Sequence, residues 1–231
     1  MKRTINSIAV LFFTTVFTVQ SYAQKPSPEL LNPLNHALVL VDHQSQMGFA
    51  TKNIEMEVLR NNAGILAGAS KIFNIPTVVT TVAAKTFSGP VFPEITEFYA
   101  ANLSIDRTTM NCWEDLNAQK AIVAKNKKKL VFAGLWTSVC IVGPALSAKA
   151  EGFDVYVITD ASGDVSREAH EMAVNRMIQA GVKPMTAMQY ILELQRDWAR
   201  SETYKGVTDL IKRFGGSYGV GIQYAQDMLK H

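Results

Sequence analysis

The sequence predicts an α/β fold, with a mainly parallel central sheet covered by helices on both faces. Three observations lead there. Short, continuously apolar runs recur along the chain: ALVLV (37–41), TVVTTV (77–82), LVFA (130–133) and FDVYVIT (153–159). Unbroken apolar runs of that length mark strands buried on both faces, as in parallel sheets. The stretches between them carry apolar residues at helical spacing. Strand and helix therefore alternate, and right-handed crossovers stack such units into a doubly covered parallel sheet.

Taken in order, the chain begins with a targeting pattern. Lys2 and Arg3 precede an apolar stretch, Ile8 to Val19, interrupted only by threonines, and Ser21-Tyr22-Ala23 fits a small-x-small cleavage site. Residues 1–23 read as a signal peptide, because the apolar part is short of the roughly 20 residues a membrane span needs. An uncleaved anchor is the alternative. Residues 24–35, with Pro26, Pro28 and Pro33, read as an extended leader. The first strand, 37–41, ends at Asp42. Ile54, Val58, Ile65, Ala69 and Ile72 place a helix over about 54–74, on which Gly64 and Gly68 suggest close packing against the sheet. A second strand spans 77–82, and Gly89, Pro90 and Pro93 mark a loop over 83–93. Shorter elements follow: a helix over 94–101, a strand over 104–109 and a helix over 116–126. A strand at 130–134 leads to a helix over about 139–151, closed by Gly152. Then come a strand at 153–159, a helix at 167–180 closed by Gly181, a strand at 183–187 and a helix at 188–200. The core domain is thus 36–200. Beyond Ser201 the glycines at 215, 216, 219 and 221 are expected to break residues 201–231 into short pieces that pack on the domain or on a neighbouring subunit.

Composition narrows the function classes. Hydrophobic residues make up 48% of 231 and charged residues 19%, so the chain can build a core and is not disordered. The formal charge of +3 falls further toward neutrality without Lys2 and Arg3. The densest basic run, Lys125 to Lys129, reads as a solvated face, so a nucleic-acid partner is not expected. No stable membrane association is expected after signal cleavage. Export, into a periplasmic compartment, permits a disulfide, and Cys112 and Cys140 are the only cysteines. They form either one bridge or two free thiols.

Ligands bind such sheets beyond the carboxyl ends of the strands. Asp42, Cys140 and Asp160 all fall there. Cys140 lies in GLWTSVC (134–140), between a strand and a helix, and a helix N-terminus favours a thiolate. Asp42 at the same sheet edge can take a thiol proton. Asp160 reads as a structural acceptor for strand-end backbone. Thr137 and Ser138 could cap the helix, and Pro144 should loosen its first turn by withholding an N–H from the Cys140 carbonyl. His43 has no second histidine nearby, His170 reads as a surface residue, and no metal or other cofactor is expected.

ALVLVDHQ (37–44), NIPTVVTT (74–81), SGPVFPEI (88–95), RTTMNCWED (107–115), VFAGLWTSVCIVGPALSA (131–148) and EGFDVYVITDASG (151–163) together resemble the isochorismatase-like cysteine hydrolases, and within them the YcaC-type branch. The resemblance covers about 36–200. It implies a three-layer α/β/α fold, a small-molecule substrate of amide-like or related type, and a homo-oligomer. It implies a catalytic triad of Asp42, Arg107 and Cys140, where most of the family has Lys at the middle position. Arg stays protonated, so Arg107 can hold charge and orient neighbours while Asp42 alone accepts a proton. It also implies a cis peptide at Leu135-Trp136, with the backbone N–H groups of Trp136 and Cys140 as an oxyanion hole. Trp113, Asn111, Phe49, Gln44 and Phe87 are the candidate pocket residues. A competing reading is a silent or redox-regulated protein on the same fold, its nucleophile closed off by a Cys112–Cys140 bridge.

Overall fold

In the computed structural model, which describes residues 25–230, strand pairing organises the molecule around six parallel strands. The expected signal segment lies outside the described residues. The strands are β1 (His36–Val41), β2 (Thr77–Val82), β3 (Ile105–Arg107), β4 (Lys129–Gly134), β5 (Asp154–Ile158) and β6 (Lys183–Met185), in the spatial order β3-β2-β1-β4-β5-β6. The order reverses between β1 and β4, so the ends of those two strands flank the switch point where α/β sheets bind ligands. Their register pairs Val41 with Gly134. All six residues of β1 and of β4 are buried, which is why both read as continuous apolar runs.

The helices are α1 (Ser45–Ala50), α2 (Met56–Ile72), α3 (Pro93–Thr96), α4 (Leu116–Val123), α5 (Val142–Ala150), α6 (Arg167–Gln179), α7 (Ala187–Gln195), α8 (Ser201–Phe214) and α9 (Gly216–Met228). α2 packs with α7 and α8, and α5 packs with α6, so both faces of the sheet are covered. The predicted three-layer α/β/α architecture is the observed one.

Three local expectations are corrected. α1 lies where no helix was expected. Residues 201–230 are not short pieces: a single break at Gly215 separates two helices of 14 and 13 residues. α8 buries Val207, Leu210, Ile211 and Phe214, and that packing outweighs the low helix propensity of Gly206. It also explains the glycines on α2, whose close neighbour is α8 rather than the sheet. A Cβ at Gly68 would lie 2.4 Å from Leu210 Cδ1, and one at Gly64 would lie 3.1 Å from the Phe214 ring. The leader, finally, is turned rather than extended. Leu30 N–H donates to Ser27 O within the first segment, which ends at Leu30. In the main body Asn35 N–H donates to Asn32 O, and Leu31 is fully buried.

Candidate active site

Asp42 is the first residue past β1 and has φ 55°, a left-handed conformation that L residues rarely take but Asp tolerates. Its N–H donates to Thr80 O (3.0 Å) and its carbonyl accepts from Gln44 N–H (2.7 Å). The sharp turn leaves the carboxylate fully buried. Arg107 closes β3, two strands away, and reaches past the end of β2. Its Nη2 donates to Asp42 Oδ2 at 2.7 Å, and its Nη1 donates to Thr109 O at 2.8 Å. Thr80 Oγ1 donates to Asp42 Oδ1 at 3.3 Å. An arginine that composition alone would place on the surface is buried to 4% exposure.

Cys140 sits in a π-helical turn, Thr137–Ile141, between β4 and α5. Pro144 lies in the first turn of α5 and has no N–H for the Cys140 carbonyl, so the wide turn follows from the sequence. Thr137 and Ser138 do not cap it with their side chains. The cap comes from Asp164, whose Oδ2 accepts from Ser138 N–H at 2.6 Å. Asn53 Oδ1 in turn accepts from Asp164 N–H. Thr137 Oγ1 is instead 2.9 Å from His170 Nδ1, so His170 braces this turn rather than standing free on the surface. Gly134 permits the turn's entry: its φ is 155°, and a Cβ there would lie 1.8 Å from Val41 O. The Leu135-Trp136 peptide is cis.

The electrostatics differ from a simple helix-end thiolate. Burial pushes the Cys140 thiol up to about 12, with the Asp42 carboxylate adding to the rise and Arg107 opposing it. Desolvation outweighs the helix end, so the resting sulfur is a thiol. Hydrogen bonding between the Cys140 thiol and the Asp42 carboxylate favours ionised Asp42 and neutral Cys140. Burial also raises the Asp42 carboxyl above its ordinary value, against the pull of Arg107. The sequence expects the Trp136 and Cys140 N–H groups to form an oxyanion hole. Cys140 N–H already donates to Trp136 O (2.9 Å), whereas the Trp136 N–H favours the Cys140 thiolate.

A cleft of about 440 Å³ opens over Cys140. Met47, Val82, Phe87, Met110, Trp136 and Val139 form most of its wall, with Ser88 and Thr108 among the rest. Of the expected pocket residues Phe87 is there; the others are not. Phe49 is 78% exposed on α1, and Met47 on the same helix faces the cleft instead. Trp113 is a packing residue, its Nε1 donating to Glu151 Oε1 (2.7 Å) and its ring edge-on to Phe153. Asn111 Oδ1 accepts from Trp113 N–H, and its Nδ2 donates to Glu114 and Ser147. Gln44 is buried behind the wall, accepting from Val82 N–H (2.8 Å) and donating to Gly89 O (2.7 Å), so it ties the 83–89 loop to β2. Asp160 Oδ1 accepts from Ala187 N–H, the structural role expected of it.

Both cysteines are free thiols, so the bridged arrangement is not the one observed. Cys112 is buried near Arg107, and burial pushes its thiol up to about 12. His43 Nε2 is 2.9 Å from Ala161 O. Among the described residues no three His, Cys, Asp or Glu side chains converge as a metal site.

The isochorismatase domain family matches residues 36–189. The chain belongs to the isochorismatase family. Within the family it is similar to the probable hydrolase YcaC of Escherichia coli, at 40% identity over 163 residues, 70% of this chain and 78% of that protein. The crystal structure of E. coli YcaC, described as an octameric hydrolase of unknown specificity, superposes with TM-score 0.81 and 36% identity over 89% of this chain and all of that one. YcaC from Pseudomonas aeruginosa, with hexane-2,5-diol and covalent acrylamide, gives TM-score 0.81 and 32% identity over 87% of this chain and all of that one. This isochorismatase-family chain is therefore a YcaC-like member in both sequence and fold.

Proposed function

We propose that this YcaC-like protein is a cysteine-dependent hydrolase of small amide-like compounds, with Cys140 as nucleophile and Asp42 as general base. One observation carries the reading: a buried carboxylate, held by a buried arginine, meets a neutral thiol at the mouth of a cleft at the sheet's switch point. Because the thiol is protonated at rest, its proton passes to Asp42 as sulfur attacks the carbonyl carbon. Trp136 N–H holds the developing oxyanion. Asp42 returns that proton to the leaving nitrogen, and the amine departs. Asp42 then takes a proton from water, whose oxygen attacks the thioester carbon; the carbon–sulfur bond breaks, the acid leaves, and Asp42 returns its proton to the departing sulfur to restore the thiol. Arg107 stays cationic throughout and keeps Asp42 oriented.

The test is alkylation followed by turnover. Iodoacetamide should label Cys140 in the native protein, with hydrolysis of an amide panel lost in parallel. Cys140→Ser should lower turnover by at least about 10³-fold. Full hydrolysis by the Cys140→Ser variant would refute the assignment.

Two further parts of the reading concern the protein's setting. Export rests on the 1–23 pattern, and amino-terminal sequencing of mature protein should begin near Gln24. A homo-oligomer is supported by the octamer of E. coli YcaC and by the exposed apolar side chains of α9, among them Tyr224 and Met228. Light scattering should report a mass well above one chain's 25.5 kDa.

A further inference from the structure

We infer that the cleft selects an uncharged substrate with an apolar body, and that Ser88 Oγ supplies the hydrogen bond that recognises its amide group. This rests on the hydrolase reading and narrows its substrate class.

The wall carries the first part of the argument. Apolar side chains dominate it, and among the described residues no Lys, Arg, Asp, Glu or His lines it. Arg107, whose charge acts on the Cys140 thiol, lies outside the cleft lining. Its two terminal nitrogens are already donating to Asp42 and to the Thr109 carbonyl. An anionic substrate would therefore give up its hydration against apolar side chains, with no cation among the described lining residues to receive it. A cationic substrate would be desolvated against the same wall. A neutral amide on a small ring or alkyl chain avoids both costs and suits a cleft of about 440 Å³.

Ser88 carries the second part. It lines the cleft, its residue is fully buried, and its Oγ has no hydrogen-bond partner. A buried hydroxyl left unpaired is costly and uncommon, so a native one calls for a partner. Its backbone is fixed on both sides: Ser88 N–H donates to Ala83 O, and Ser88 O accepts from Gln46 N–H, each at 3.2 Å. The Gln44 bond to Gly89 O holds the next residue. A hydroxyl both donates and accepts, which matches an amide and leaves a hydrocarbon unrecognised.

The experiment compares benzamide, benzoate and toluene, which are similar in shape and differ in charge and hydrogen bonding. Binding is measured on the mature protein at neutral pH by ligand-observed NMR. Benzamide should bind at least about tenfold more tightly than benzoate, since a buried unpaired charge is far more costly than a neutral amide. Ser88→Ala should weaken benzamide about five- to tenfold, the size of one neutral hydrogen bond, while toluene binding stays unchanged. Equal affinity for benzoate overturns the inference, as does undetectable benzamide binding. An unchanged benzamide constant in Ser88→Ala overturns the role of Ser88. The benzamide–benzoate comparison needs no variant, so it stands even where Ser88→Ala folds poorly. Failure of the nucleophile reading appears separately, as amide hydrolysis retained by Cys140→Ser.

Discussion

Arg107 Nη2 and Asp42 Oδ2 stand 2.7 Å apart, with both side chains wholly shielded from solvent. A pair this deep need not add to stability relative to apolar residues, but breaking it strands a buried charge. Asp42→Asn should therefore do two things. It should lower hydrolysis by at least about 10³-fold, because no base remains. It should also destabilise the fold by about 3–5 kcal/mol, because Arg107 loses its counter-charge. Denaturant melts alongside turnover separate the two effects.

The same pair sets a pH dependence. In the proposed mechanism Asp42 must be ionised to take the Cys140 proton, and burial lifts its pKa above the ordinary value of 3.8. The acid limb of kcat/KM should therefore lie above that value, with activity rising as pH rises through the shifted pKa. Arg107→Met removes the opposing cation and should move the limb to still higher pH. A limb at the ordinary carboxylate value in the native enzyme would contradict the assignment of Asp42 as base.

Stability should respond to pH through two other groups. His36 is buried between Asn32 O and Tyr190 Oη, each 2.8 Å from a ring nitrogen, and His43 is buried beside Asp42. Burial lowers both from 6.5 to about 4. Between those values the unfolded chain binds protons that the folded chain refuses, so stability is lost as pH falls from 6.5 toward 4. Each histidine contributes on the order of 3 kcal/mol to that loss. Thermal melts across this range should show the decline, and His36→Gln should make it shallower.

Gln44 offers a test of how the cleft wall is held. Gln44→Leu leaves Val82 N–H and Gly89 O without their partner, at a cost of about 1–3 kcal/mol for each buried group. Hydrogen exchange should accelerate over residues 83–89, and KM should rise more than kcat falls.

Gly134→Ala places a methyl carbon 1.8 Å from Val41 O, so the ends of β1 and β4 must part. This substitution should cost more than about 4 kcal/mol, far beyond an ordinary surface change. Soluble yield and melting temperature provide the check.

Much of this arrangement was legible in the sequence. Strands buried on both faces show as continuous apolar runs, so the four longer strands and the parallel sheet follow from β-branched and aliphatic clusters, and the two short edge strands are placed by the alternation with helices. Asp42 and Cys140 are legible because both sit where such strands end. Arg107 is not: nothing local distinguishes it from a surface arginine, and only the motif resemblance singled it out. Asp164 and Asn53 escaped notice because their task is to hold backbone N–H groups far away in sequence, a role with no periodic signature. The cleft wall is not legible in the sequence, for a related reason. Trp113 and Asn111 lie in the right segment, but the turn at Cys112–Glu114 directs them toward α5. In α8, long-range packing against α2 overrides a local glycine signal, and α9 packs on α8 in turn.

Asp42 and Arg107 are 65 residues apart in sequence, and Cys140 belongs to a third segment. Their meeting requires β1, β2, β3 and β4 to be docked side by side. Reactivity is therefore a property of the assembled sheet, and a chain cut anywhere between Asp42 and Cys140 should yield two inert pieces. On the proposed reading, the sulfur stays chemically quiet during synthesis until the last of these strands takes its place. Turnover then doubles as a reporter of complete folding, vanishing with the cooperative loss of strand pairing rather than fading ahead of it.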